Sequence, residues 1–326
     1  MESKITTALS SRNVSDSSKE LYLKNLKRLN DNNEIKNLNF LKETDKIFEK
    51  ISKFKPNTQR TYFISVVACL KDVPRFKKVY KIYYDKMMEL NEELKTQNTK
   101  SEKQVEAWIS QEEVVEKLQE LFSKVKINKR QYKEKDWDDL LNFFVLSLYV
   151  LQKPRRNMDY QNNMVVKKLP EEVGTETNYT DLENQNFVFT KYKTQKTYKT
   201  QSIAFTPEMK SMMRMYLSHH PLKSELKEGK AIPLLVNYKG EAFDQTNSIT
   251  RILNKIFDKK IGASMLRNIF ATDRFSEKQQ DLQDTATEMG TSGGTLQNVY
   301  IKVAEPASEP VVTITGGDVP APPAKE

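Results

Sequence analysis

The sequence predicts a mainly α protein of two domains with one small β-hairpin or sheet, and three observations carry that reading. Apolar residues recur at helical spacing along most of the chain, from Tyr22, Leu26 and Leu29 to Ile249, Ile252, Leu253 and Ile256. A polar stretch, QNTKSEK at 97–103, separates two independent apolar patterns. Between Phe187 and Phe205 the pattern changes to short alternating pieces, FVFTKYKT and YKTQSIAF, which read as a hairpin. With 326 residues, the chain is long enough to bury two cores.

Residues 1–18 are polar and aperiodic, so a flexible arm is expected there. A helical domain of four helices follows over 19–95. Its first helix runs through SKELYLKNLKRLN, and its second covers Thr44–Phe54 and is closed by Pro56. The third, Asn57–Val73, starts on Asn57 as a cap and places Tyr62, Val66 and Cys69/Leu70 on one face. Pro74 ends it, and Phe76–Leu94 continues as a long basic helix. Residues 96–104 read as a linker, 105–303 as the second domain, and 304–326 as a disordered tail holding five of the twelve prolines.

In the second domain, Ser110 with Glu113 forms a capping box ahead of Val114, Leu118 and Leu121. Trp137–Leu151 is apolar nearly all round, as in a helix buried on most sides. After the hairpin, Thr206-Pro207-Glu208 opens a Met-rich helix to Leu217. Asn247–Phe257 is a further amphipathic helix, and three short helices are expected from there to Val303.

Composition narrows the function classes. No apolar run approaches the ~18 residues of a membrane span, and MESKITTALS lacks the features of a secretory signal. One cysteine, Cys69, excludes an intramolecular disulfide, and with two adjacent histidines it makes a poor zinc set. An intracellular protein is expected, its compartment set by its target. The net charge is +9, and the tail is acidic, so the rest of the chain is more basic still. A basic body of this size favours polyanionic partners, nucleic acid above all. The lysine and asparagine bias is also compatible with a virus or mobile element of an AT-rich host.

Four segments could carry chemistry. KPRRNMDY (Lys153–Tyr160) holds two arginines just past the buried helix, where guanidinium forks suit phosphate oxygens. KYKTQKTYK (Lys191–Lys199) is a lysine-rich hairpin able to present an ammonium to a leaving oxygen or a DNA groove. In SMLRNIFATDRF, Arg267 follows Ser264 by three residues, so both project from nearly one helical face. In MGTSGGTLQNVYIKV a glycine-punctuated loop leads to Tyr300.

Taken in order, these segments resemble the tyrosine recombinase (phage integrase-like) family from about Ser15 to Val303. The family's first box, an arginine followed three residues later by an acid, fits Arg156 and Asp159. Its hairpin lysine is matched by Lys193 in Tyr192-Lys193-Thr194, with Lys191 and Lys196 as competitors and Arg155 competing with Arg156. Its His-x-x-Arg box aligns with Ser264-Met-Leu-Arg267, and its Leu-Gly-His followed nine residues later by tyrosine aligns with Met289-Gly290-Thr291 and Tyr300. Ser264 and Thr291 thus stand where the family has histidines; both hydroxyls can donate a hydrogen bond, but neither is a base near neutral pH.

The resemblance implies a two-domain clamp, a helical core-binding domain plus a mixed α/β catalytic domain, closed round double-stranded DNA. It implies a site-specific recombinase or integrase that needs no metal, nucleotide or other cofactor. The catalytic set would be Arg156, Lys193, Ser264, Arg267, Thr291 and Tyr300, acting through a 3′-phosphotyrosyl intermediate. It further implies a monomer in solution and a homotetramer on paired sites. The alternatives are a type IB topoisomerase-like enzyme and a catalytically inactive DNA-binding clamp.

Overall fold

The computed structural model describes Leu9 and residues 12–95 and 102–301. The tail at 304–326, most of the expected arm and positions 96–101 of the expected linker lie outside the described residues. The chain divides into two compact units, Met1–Ser101 and Glu102–Glu326. It is mainly helical, with one small mixed five-stranded sheet. No described helix is long and apolar enough to cross a membrane.

The first unit is all-helical. Helix α1 (Asp16–Leu29) starts inside the expected arm, because Ser15 caps it by accepting the Ser18 N–H at 3.3 Å. Helix α2 (Thr44–Ser52) buries Ile47 and Ile51. Helix α3 (Pro56–Leu70) corrects the reading of Pro56, which occupies the first helical position, with Lys55 and not Asn57 at the cap. A proline there is harmless, since that N–H has no intrahelical partner to lose. Helix α4 is Lys77–Lys95. Phe48 packs edge-on against both Phe63 and Tyr83, with ring centroids 5.4 Å apart in each pair. A buried polar pair, Asn25 Nδ2 donating to Ser65 Oγ at 3.0 Å, ties α1 to α3.

In the second unit a short helix α5 (Glu102–Ala107) occupies positions expected as linker. Helix α6 (Gln111–Lys124) carries both arms of the expected capping box: Glu113 N–H donates to Ser110 Oγ at 3.1 Å, and Ser110 N–H to Glu113 Oε2 at 2.7 Å. Helix α7 (Glu134–Val150) buries Trp137, Leu140, Phe144, Val145, Leu146 and Leu148 and is the centre of this core. After the short helix α8 (Asn157–Gln161) come strands β1 (Asn163–Val166), β2 (Asn178–Asp181) and β3 (Asn186–Phe189). A one-turn helix α9 (Gln195–Tyr198) precedes β4 (Gln201–Ala204). Helix α10 (Pro207–His219) and α11 (Lys223–Lys227) lead to β5 (Ile232–Pro233).

The sheet order is β4-β3-β2-β1-β5, with β1 and β2 parallel and the other pairs antiparallel. The expected hairpin is thus β3–β4, paired from Asn186↔Ala204 to Phe189↔Gln201, on the edge of a larger sheet than the sequence suggested.

Helix α12 (Ser248–Phe257) is followed by α13 (Ala263–Glu288), a one-turn α14 (Gly293–Thr295) and a π-turn over Leu296–Tyr300. The expectation of three short helices is therefore corrected to one of 26 residues with a small C-terminal cap. Apolar periodicity fades after Phe270, yet no glycine or proline interrupts Ala263–Glu288, and its Gln, Glu, Lys, Leu and Ala residues sustain a helix by propensity alone. The helix stops at Gly290, whose φ of +65° suits glycine. There Thr291 N–H bonds to Ala286 O and Gly290 N–H to Thr287 O, a Schellman cap.

Candidate active site

Helix α7 leads through Leu151 into the segment Gln152–Arg156, QKPRR. Arg156 takes the N-cap position of α8, with extended backbone, so the two neighbouring arginines leave in different directions. Arg155 turns back into the protein. Its Nε donates to Asp159 Oδ2 at 2.9 Å and its Nη1 to Gln201 Oε1 at 2.8 Å. Its guanidinium also lies over the ring of Phe189, 3.8 Å from the centroid, and faces Tyr192 at 5.0 Å. Burial pushes the Asp159 carboxyl above the ordinary carboxylate range, and the adjacent Arg155 and then Arg156 pull it back.

Arg156 forms no ion pair among the described residues and faces a cavity of about 200 Å³. Arg267 reaches the same cavity from the second turn of α13, because Leu266 and Ile269 on either side of it are buried in the core. Thr194 and Tyr198 complete the wall from the β3–β4 connection. That connection is held closed by the Tyr192 hydroxyl, which donates to Lys199 O at 2.6 Å. Lys199 sits at φ +56°, unusual for a residue with a side chain.

The structure thus brings Arg156 and Arg267 to one cavity, with Arg155 and Asp159 also in its wall, and leaves Lys193, Ser264, Thr291 and Tyr300 outside that wall. Lys193 is exposed between two wall residues, Tyr192 and Thr194, and makes no salt bridge among the described residues. Its competitor Lys191 is paired with Glu176 at 2.8 Å. Lys196 lies on α9. Ser264 is exposed one turn before Arg267. Thr291 contributes its backbone to the cap of α13.

Tyr300 is 56% exposed in the π-turn. The segment leading to it is seated against the distal part of α13, where a Cβ on Gly293 would lie 2.7 Å from Gln283 Oε1. Gln283 lies sixteen residues beyond Arg267 on one continuous helix, about 24 Å along its axis at 1.5 Å per residue.

The engagement of Arg155 and the part played by Gln201, Thr194 and Tyr198 do not show directly in the sequence. The alternation of the hairpin was the available signal, since a β4 partner for Phe189 puts Gln201 beside Arg155. The two histidines have structural surroundings. His219 stacks on Tyr132, and His220 is fully buried, with Nδ1 accepting the Leu222 N–H at 3.1 Å. No group of three or more His, Cys, Asp or Glu side chains among the described residues is arranged to hold a metal ion. Chemically, the cavity offers the guanidinium groups of Arg156 and Arg267 and the hydroxyls of Thr194 and Tyr198 to a tetrahedral anion, beside the Arg155–Asp159 pair in the same wall. Comparison with known protein families, curated proteins and solved structures finds no match for this chain.

Proposed function

We propose that this protein is a site-specific DNA recombinase or integrase that cuts and rejoins double-stranded DNA through a 3′-phosphotyrosyl intermediate. The observation that carries the reading is the convergence of Arg156 and Arg267, distant in sequence, on one small cavity beside the β3–β4 connection. Two cationic forks aimed at one point suit a phosphodiester whose negative charge grows in the transition state. The net charge of +9 suits the same polyanion.

In this mechanism the Tyr300 oxygen attacks phosphorus, the bond to the 5′-oxygen breaks, and the phenol proton leaves to solvent. Lys193 gives a proton to the departing 5′-oxygen. Arg156 and Arg267 hold the non-bridging oxygens, and Ser264 and Thr291 donate to the same oxygens. A 5′-hydroxyl from a second strand then attacks the phosphotyrosine and restores the phenol. Because Tyr300 is not part of the cavity wall, the step requires its segment to move or to reach the cavity of a neighbouring protomer. Four copies on paired sites would arrange that exchange, while the free protein is a monomer.

The test is a nicked suicide substrate whose short fragment bearing the freed 5′-hydroxyl is lost after cleavage. A covalent adduct mapping to Tyr300 is expected, and joining of two different duplexes separates a recombinase from a type IB topoisomerase. A second reading, an inactive DNA-binding protein, is favoured by a cavity wall that does not include Tyr300 and by the hydroxyl residues at both histidine positions. It predicts tight, salt-sensitive DNA binding with no adduct.

A further inference from the structure

We infer that Asn157 is a positioning residue, whose single hydrogen bond to Thr250 sets the spacing of Arg156 and Arg267 and so makes their cavity a phosphate site. The inference rests on the functional reading only in treating that cavity as the seat of chemistry.

The two arginines have separate anchors. Arg156 is fixed by the start of α8, and Arg267 by the start of α13. Asn157, the residue after Arg156, spends both ends of its amide on linking them. Its Oδ1 accepts the Tyr149 hydroxyl at 2.9 Å, and its Nδ2 donates to Thr250 Oγ1 at 2.8 Å.

Neither end is free to turn. Tyr149 is buried on α7 and its phenol is held well above its ordinary pKa, mainly by burial, so it stays a donor. Arg267 is near enough to act on that phenol through its charge.

On the other side, Thr250 leans against the backbone that launches α13. A Cβ on Gly262, the N-cap of that helix, would stand 3.3 Å from Thr250 Cγ2. The chain Asn157–Thr250–Gly262 therefore runs from α8, capped by Arg156, to α13, which bears Arg267, and Tyr149 of α7 braces its first member. An ordinary packing asparagine would satisfy itself within its own turn; this one bridges 93 residues. Two donors must sit within a fraction of an ångström of their places to grip one tetrahedral anion, so a small shift here weakens binding without unfolding anything.

The experiment titrates inorganic phosphate into the protein while following the side-chain Nε–H NMR signals of Arg156 and Arg267. In the wild type both signals are expected to move on one binding curve. Thr250→Val keeps the shape of the side chain and removes the acceptor. It should weaken phosphate binding by about tenfold or more and split the two curves, with the melting temperature within about 4 °C of wild type. Thr250→Ser should restore affinity to within about twofold. Gly262→Ala, which leaves every hydrogen-bonding group in place and crowds Thr250, should weaken binding in the same direction.

Unchanged phosphate affinity in Thr250→Val, or a wild type in which the two arginines do not respond together, overturns the inference. The functional reading fails separately. A wild type that binds phosphate on one curve yet forms no tyrosyl–DNA adduct keeps the positioning role and loses the recombinase. An adduct formed at the wild-type rate by Thr250→Val does the reverse.

Discussion

Arg155 and Asp159 form an ion pair one helical turn apart, Nε to Oδ2 at 2.9 Å, with the carboxylate almost wholly buried. Both arginines line the cavity, but the pair divides their labour: Arg155 is held by Asp159 and Gln201, while Arg156 makes no ion pair among the described residues.

Arg155→Ala should therefore act on stability. It leaves Asp159 buried without its partner and removes the stack on Phe189, for a loss of about 3 kcal/mol in urea unfolding. Arg155→Lys should recover little, because an ammonium cannot both fork onto Asp159 and Gln201 and lie flat over the ring. Arg156→Ala and Arg267→Ala should unfold like the wild type and slow adduct formation by about 100-fold, measured as trapped covalent complex against time. A cleavage defect in Arg155→Ala larger than in Arg156→Ala, at a concentration of denaturant where both are folded, would assign the phosphate-holding role to the other arginine.

Tyr300→Phe removes one oxygen from an exposed ring, so packing and stability should barely change. DNA affinity in a filter or mobility assay should match the wild type, and the covalent adduct should vanish. An adduct that persists in this variant moves the nucleophile elsewhere, with Tyr198 at the cavity wall the first place to look.

Acid should loosen the start of α7. Asp136 accepts hydrogen bonds from Lys129 and Lys126 and from the Lys133 N–H, which hold its carboxyl far below the ordinary range. A depressed carboxylate stabilises above its unfolded value near about 4 and loses that contribution as pH falls toward its folded value. Lys126, raised chiefly by the same bond, contributes below its unfolded value and loses it as pH rises through the folded one. The difference in melting temperature between wild type and Asp136→Asn should be largest near neutral pH and shrink below pH 4.

His220 titrates in a different window. Burial lowers it to about 4, and Nδ1 is already committed to the Leu222 N–H. A histidine whose folded pKa is depressed stabilises fully above its unfolded value near about 6.5 and loses that contribution as pH falls toward 4, on the order of 3 kcal/mol in all. His220→Asn keeps an acceptor at the same place and cannot titrate. Its stability should be flatter than wild type between pH 7 and pH 4, as read from urea midpoints.

How much of this was legible in the sequence depends on whether apolar spacing carried the information. Helices with a cap and an apolar stripe, such as Ser110–Lys124 and Thr206–His219, stand close to where the residues place them. Strand β2 was invisible because it is NYTD, four residues whose polar members are nevertheless buried. Asn178 repays that burial by donating to the carbonyls of Asp159 and Lys191 and accepting from the amides of Thr190 and Lys191. Nothing short of the folded chain brings those four groups to one side chain. In the site, the order of Arg156 and Arg267 could be read directly, whereas the capture of Arg155 depends on Phe189 and Gln201 arriving from two strands. Gly290 was read as part of a chemical motif and is first of all a helix stop.

Helix α13 is exposed along 271–281; among the described residues it joins the large core near its start, through Met265, Leu266 and Ile269, and at its far end it buries Ala286. From Ile269 to Glu288 it extends about 28 Å. A rod held at one end turns small rotations into large displacements: a tilt of about 10° at Ile269 carries the far end by about 5 Å. In such a tilt Arg267, close to the pivot, would hardly move, while the cap packed on the far end would be carried along an arc. Whatever seats on that far end, DNA or a neighbouring copy, would therefore steer the tyrosine with leverage and leave the anion cradle undisturbed.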